Sequence, residues 1–246
     1  MNTVLIMEVQ KYNYLLENMK KNIQTLKLGL TGKIVMSEDM EKMANSLFIN
    51  QVPILWSGTF LSLKPLSSWI KDLIMRIDFL QKWIDDGTPK IFWISGFSFP
   101  QAFLTAALQN FARKNKYAID LLSFEFRVRD DLKSDQIKEG PEAGIYAFGM
   151  FMEGAKWNEQ THFVDDSVPK ELYTDVPIIH FLPVLNRVPP TTGFYECPLY
   201  KVLSRKGTLS TTGHSTNFVI RVEMPSDRGE DYWIKAGVAM FLALKT

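Results

Sequence analysis

The apolar residues of this sequence switch period once. Before about Asn115 they recur every 3.6 residues, and after it every second residue. That switch separates a helical half from a stranded half. From Val4 to about Leu28, Leu5, Val9, Tyr12, Leu15, Leu16, Met19, Ile23 and Leu26 form one helical stripe, with Lys11, Lys20, Lys21 and Gln24 elsewhere. Gly29 and Gly32 end it. Ser37 is placed to cap a short helix over Glu38–Phe48, with Glu38 and Asp39 in the first turn, where carboxylates favour the helix dipole. Pro53 breaks that helix. Leu66–Ile84 is the clearest helix, carrying Trp69, Ile70, Leu73, Ile77, Leu80 and Trp83 between Pro65 and the stop signals Gly87 and Pro89. Ser98-Phe99-Pro100-Gln101 reads as a capping box opening a helix that runs through Phe111 to the basic turn Arg113-Lys114.

After Asn115, Leu122, Phe124, Phe126 and Val128 alternate with Ser123, Glu125, Arg127 and Arg129, the pattern of a half-buried strand. Further strands are expected at Ile145–Met152, Pro177–Val184, Leu199–Leu203, Phe218–Met224 and Trp233–Leu244. The last also suits a helix, but its strict alternation and Gly237 favour a strand. Loops carrying Gly140-Pro141, Pro189-Pro190 and Pro225 with Gly229 separate these runs. The expected fold is α+β. Residues 1–117 form a helical subdomain, and residues 118–246 a small antiparallel β-barrel of about six strands.

Composition narrows the function. Lys plus Arg is 28 and Asp plus Glu is 27, so the net charge of +1 argues against nucleic acid as a partner. One Cys excludes a disulfide framework and fits a reducing compartment. The most apolar stretch, Ile91–Leu104, is cut by Gly96 and Pro100 and falls short of the ~18 apolar residues of a membrane helix. No basic n-region precedes an apolar stretch at the start. A soluble, intracellular chain without a membrane partner is the expectation. The 17 Phe, 8 Tyr and 6 Trp call for a large core or a partner surface.

The search for catalytic chemistry finds little. Gly29-Leu30-Thr31-Gly32-Lys33-Ile34 has two residues between its glycines where a phosphate loop needs four, and Ile34 stands where a hydroxyl would hold Mg²⁺. The stretch from Gly207 to Gly213-His214-Ser215 has His in place of Lys and lies between strands. His162, His180 and His214 are far apart without metal-ligand spacing, and His180 alternates with Ile178 and Leu182 as a packed or edge-strand histidine. Cys197 precedes Pro198 and reads as structural. Ser210, Ser215 and His214 lack an orienting carboxylate, and a Ser/Thr-rich hairpin explains them. Glu125 with Asp120, or Glu142 with Glu153, are pairings expected by chance.

Three segments are more specific. They are Leu63-Lys64-Pro65-Leu66-Ser67-Ser68-Trp69 with Phe79-Leu80-Gln81-Lys82-Trp83-Ile84; Phe92-Trp93-Ile94-Ser95-Gly96-Phe97 with Gln101-Ala102-Phe103-Leu104-Thr105 and Leu108-Gln109-Asn110-Phe111-Ala112-Arg113-Lys114; and Arg205-Lys206-Gly207-Thr208-Leu209-Ser210-Thr211-Thr212-Gly213-His214-Ser215-Thr216-Asn217-Phe218-Val219. The third lies between Cys197-Pro198-Leu199-Tyr200-Lys201 and Trp233-Ile234-Lys235, and Glu153-Gly154-Ala155-Lys156-Trp157 adds a weaker match. In this order, from about residue 35 to the end, the sequence resembles the C-terminal domain of dynein heavy chains, and it is nearer the axonemal branch than the cytoplasmic one. In many members of that family an aromatic stands at Ser98, Thr at Pro100, Trp at His180 and Arg at Ala236. A ring contact made by a basic residue at Ala236 therefore has no counterpart here.

The resemblance implies a helical part followed by a small antiparallel barrel, lying across one face of a ring of six AAA+ modules in a microtubule motor. ATP and Mg²⁺ are then used elsewhere in the parent protein, and none is expected in this segment. The partners implied are the AAA+ modules of the same polypeptide, with microtubules and other dynein subunits reached only through the parent. The place implied is the cytoplasm, cytoskeleton and ciliary axoneme. Candidate ring contacts are Leu5, Tyr12, Leu16 and Met19 on the first helix, and Arg205, Lys206 and His214 in the loop Arg205–Asn217. Two competing readings are a stand-alone β-barrel that binds a small ligand under a helical lid, and an enzyme using His214 and Ser210.

Overall fold

The computed structural model describes residues 2–60, 62–203, 205 and 216–243. They divide into two units, one of Asn2–Asp85 and one from Asp86 onward.

The first unit is helical. α1 (Asn2–Leu30) ends where Gly32 turns to φ +70°, and Gly29 inside it lies against the ends of the Met36 and Met40 side chains, which a Cβ there would displace. α2 (Glu38–Phe48) is capped as expected, with Ser37 Oγ accepting from the Met40 N–H at 3.4 Å. A single turn, α3 (Ile54–Ser57), leads to α4 (Leu66–Asp86). The core of this unit is built from rings. Trp56 stacks on Trp69 at 6.3 Å, Phe60 lies 5.2 Å from Trp69, and Tyr12 meets Phe60 edge-on. Each indole N–H is satisfied, that of Trp69 by the Phe60 carbonyl and that of Trp56 by the Asn22 side chain. The buried Arg76 guanidinium bonds Asp72 at 3.2 Å and covers the Phe60 ring at 4.8 Å.

The second unit opens with β1 (Phe92–Trp93), a helical turn over Ile94–Gly96, and α5 (Pro100–Asn115). Phe103 of α5 stacks on Phe97 at 4.2 Å and packs on Phe92, so this helix shares the core of the strands. The division at Asp86 thus falls ahead of the change of period near residue 117. The start of α5 lies one residue later than the expected capping box places it. Phe99 occupies the cap position without a side-chain bond, Pro100 takes the first turn, and the Gln101 amide donates to the Phe218 carbonyl at 2.7 Å.

The described residues form eleven strands. Besides β1 they are β2 (Leu122–Arg129), β3 (Ile145–Phe148), β4 (Phe151–Glu153), β5 (Ala155–Asn158), β6 (Phe163–Asp166), β7 (Tyr173–Asp175), β8 (Ile178–Leu185), β9 (Phe194–Tyr200), β10 (Phe218–Pro225) and β11 (Ala239–Phe241). One sheet runs β1-β3-β8-β2, a second runs β10-β9-β11-β4-β7, and β5-β6 form a hairpin. The α+β class is therefore observed, but the strand count and the pairing differ from the expected barrel. β1–β3 and β9–β11 are parallel, so the sheets are mixed, and among the described residues no ladder closes a sheet on itself.

Two local departures have clear causes. The expected strand Ile145–Met152 is split at Gly149, whose φ of +87° and contact with the Trp93 ring suit no other residue. β3 and β4 consequently enter different sheets. The expected strand Trp233–Leu244 instead begins as a helix, α6 (Glu230–Ala236). Glu230 and Asp231 lie in its first turn, Lys235 in its last, and Gly237 at φ +71° caps its end, leaving only Ala239–Phe241 as strand.

Candidate functional site

The first-helix candidates do not share one environment. Tyr12 is 2% exposed and belongs to the ring core of its own unit. Leu5 and Met19 are half-buried against that core, and Leu16 is 39% exposed beside a small cleft with Ile77 and Ile84. More prominent are Phe48 and Ile54, 91% and 83% exposed, which belong to no helical stripe because they sit at helix ends. They flank a braced turn. Asn50, at φ +58°, accepts from the Ser67 N–H with its side chain at 3.0 Å and from the Leu66 N–H with its carbonyl at 2.9 Å, holding the start of α4.

In the loop, Arg205 is engaged within its own unit. Its guanidinium bonds Glu153 at 2.7 Å and the Gly237 carbonyl at 2.8 Å and lies over the Phe241 ring. Lys206, Ser210, His214 and Ser215 lie outside the described residues. Cys197 is fully buried, and burial pushes its thiol well above the usual range, which makes it unreactive. His180 stands in β8 with Nε2 2.7 Å from the Ala143 carbonyl and its ring edge-on to Tyr146. Glu125 pairs with Arg127 and Glu153 with Arg205, so neither acid is paired with another carboxylate as its chance partner would require. Among the described residues no three His, Cys, Asp or Glu side chains converge as metal ligands.

Sequence reasoning missed an open groove of about 700 Å³ in the second unit. One wall is β2, from Glu125 to Val128. The facing wall carries Glu223 and Pro225 of β10. Asp130, just past β2, receives the Trp157 indole N–H at 2.9 Å and lies 2.7 Å from His162 Nδ1. Burial raises the Asp130 carboxyl, but these two bonds outweigh it and hold the group below the usual carboxylate range. His162 takes φ +56° at the turn of the β5–β6 hairpin, which aims its ring at Asp130. Across the groove, the Arg187 guanidinium forms a fork with Glu223, one arm at 2.8 Å, with side chains 9% and 11% exposed. No signal in the linear sequence joins these residues, because they come from separate strands and the loops that follow them.

These elements make an α+β domain in which the ionised groups around the groove are matched to one another by the fold. The protein belongs to the family of the C-terminal domain of dynein heavy chains, which it matches over residues 1–242. It is 53% identical over 245 residues to dynein axonemal heavy chain 1 of Homo sapiens. It is 46% identical over 264 residues to dynein axonemal heavy chain 6 and 42% identical over 245 residues to dynein axonemal heavy chain 3, both of Homo sapiens. Each alignment takes in 99% of this sequence and 6% of the relative, so the protein spans a small fraction of the proteins it resembles.

Proposed function

We propose that this protein is a non-catalytic cap of an axonemal dynein heavy chain, packing on the AAA+ ring and modulating an ATP-driven microtubule motor in cilia. The observation that carries the reading is the family match over 1–242 together with relatives of which this sequence is 6%. ATP and Mg²⁺ act elsewhere in such a parent, and the cap holds neither. Its partner is the rest of the same polypeptide, and microtubules and other subunits are met only through that parent, at the axoneme. A contact shifts a conformational equilibrium only by its different affinity for the states, so the cap tunes cycling by favouring some module positions over others. Phe48 and Ile54, exposed beside the braced turn at Asn50, are side chains suited to such a contact.

Two measurements test the reading. Titration calorimetry of the 246-residue protein with Mg-ATP gives no stoichiometric binding, and a one-to-one isotherm would overturn the non-catalytic assignment. In a parent motor carrying this segment, Phe48→Ser with Ile54→Ser alters gliding velocity or run length while the fold of the segment is kept. An unchanged motor would remove this surface from the contact.

A further inference from the structure

A second concavity of the second unit, of about 470 Å³, opens beside the C-terminal half of α5. Its other walls are the approach to β1, from Thr88 to Phe92, and the segment 140–145 that leads into β3. That last wall is held in place. A Cβ on Gly144 would meet the Phe181 carbonyl, the Ala143 carbonyl lies 2.7 Å from His180 Nε2, and Gly140 sits beside the Lys90 backbone. The floor is apolar, with Phe92, Ala107 and Ile145 buried. Walls fixed by the fold receive a ligand without first having to be ordered.

The charge of the pocket is one-sided. Lys90 and Lys114 line it from two different walls, and Glu142 is the one carboxylate among the lining residues. Neither lysine side chain forms an ion pair or hydrogen bond among the described residues. Nor is Lys114 needed at the helix end. The Phe111 carbonyl accepts from the Asn115 side chain at 2.9 Å, and the Ala112 carbonyl from the Tyr117 N–H at 2.9 Å.

Two unpaired ammonium groups over an apolar floor suit an anion with an apolar body. A phosphate is the poorer fit. The lining holds no arginine fork, and the pocket lies at the C-terminal end of a helix, whose dipole opposes a dianion. A singly charged carboxylate fits better. Lys90, Asn110 and Lys114 are exposed, so one side of the pocket stays open. A small molecule binds where most of its surface is enclosed, whereas a side chain carried on a longer polymer needs only one such wall.

We propose that this pocket binds an acidic segment of a partner polypeptide, with a glutamate or aspartate carboxylate at Lys90 and Lys114 and a neighbouring apolar side chain against Phe111. The pocket belongs to the second unit alone and is separate from the surface around Phe48.

The test uses the ¹⁵N-labelled 246-residue protein and the blocked peptide acetyl-Ser-Glu-Leu-Glu-Ser-amide. Saturable amide shifts are expected at Lys90, Lys114 and Gly144, and they should weaken as salt is added. The peptide with Gln in place of both Glu should bind about fivefold more weakly or worse. Lys90→Gln with Lys114→Gln should weaken the Glu peptide by a similar factor, while Lys90→Arg with Lys114→Arg, which keeps both charges, should retain it. Free glutarate, a carboxylate without a peptide, should leave these amides unmoved at the same concentration. The proposal is overturned by no shift at these amides with millimolar peptide, by equal binding of the Gln peptide, by unchanged binding to the double Gln variant, or by glutarate binding as tightly as the peptide.

Discussion

Gly144 and Gly193 have the same backbone sign and different surroundings. Both have φ near +80°, but a Cβ on Gly144 would meet the Phe181 carbonyl and the Pro183 ring, whereas one on Gly193 meets nothing. Gly193→Ala should cost about 1 kcal/mol, the penalty of a left-handed L-residue, and Gly144→Ala about 3 kcal/mol or more, read by denaturant melts. Equal effects would show that the β3–β8 contact yields more than its geometry implies. His180 supplies a pH test. Burial, and then the Arg127 and Arg129 charges, lower its pKa, against the Ala143 carbonyl bond and Glu125, which raise it. A base with a lowered folded pKa contributes full stability above its unfolded value near 6.5, and this is lost as pH falls from there toward the folded value. His180→Gln, which keeps a donor for Ala143, should flatten the melting temperature as pH falls below about 6.5. An unchanged slope would assign that dependence to another group.

At the scale of elements, the long helices were legible because a 3.6-residue stripe repeats several times along them. β2, β8 and β10 were legible because each is eight residues long. β5, β6 and β7 have three or four residues, too few to establish a period, and β1 has two. The break at Gly149 depends on the sign of φ, which no side-chain pattern records. α6 escaped because seven residues fit both periods, and the acidic first turn with Gly237 as cap was the overlooked signal. The groove along β2 was illegible for another reason. Its lining joins two sheet edges, a hairpin and a crossover, and only the fold brings them together. The turn at Asn50 carries its own prediction. Its side chain serves α4 as a cap supplied from outside the helix, so Asn50→Ala should cost about 1–2 kcal/mol and raise amide exchange at Ser67 and Leu66 first.

The whole molecule divides where the packing divides. α5 has helical periodicity but shares a ring core with β1 and the turn after it. A fragment of residues 86–246 should therefore melt cooperatively with Trp233 buried, whereas a fragment of residues 118–246, cut at the change of period, should lack Phe92, Phe97 and Phe103 and fail to do so. Trp fluorescence during urea titration distinguishes them. If both fragments melt alike, α5 contributes no more than a lid.

The position of β11 has a consequence for synthesis. In the five-stranded sheet it lies between β9 and β4, parallel to β9 and antiparallel to β4. β4, at Phe151–Glu153, therefore leaves the ribosome long before its inner neighbour at Ala239–Phe241 exists. Until then two strands face an empty slot, and the sheet is open to mispairing or to a holding chaperone. A premature stop codon between β10 and β11 would release a polypeptide with nearly all its residues and no centre to its larger sheet. Ribosome-stalled polypeptides ended after Pro225 should be cut rapidly by protease, and those extended past Phe241 should resist.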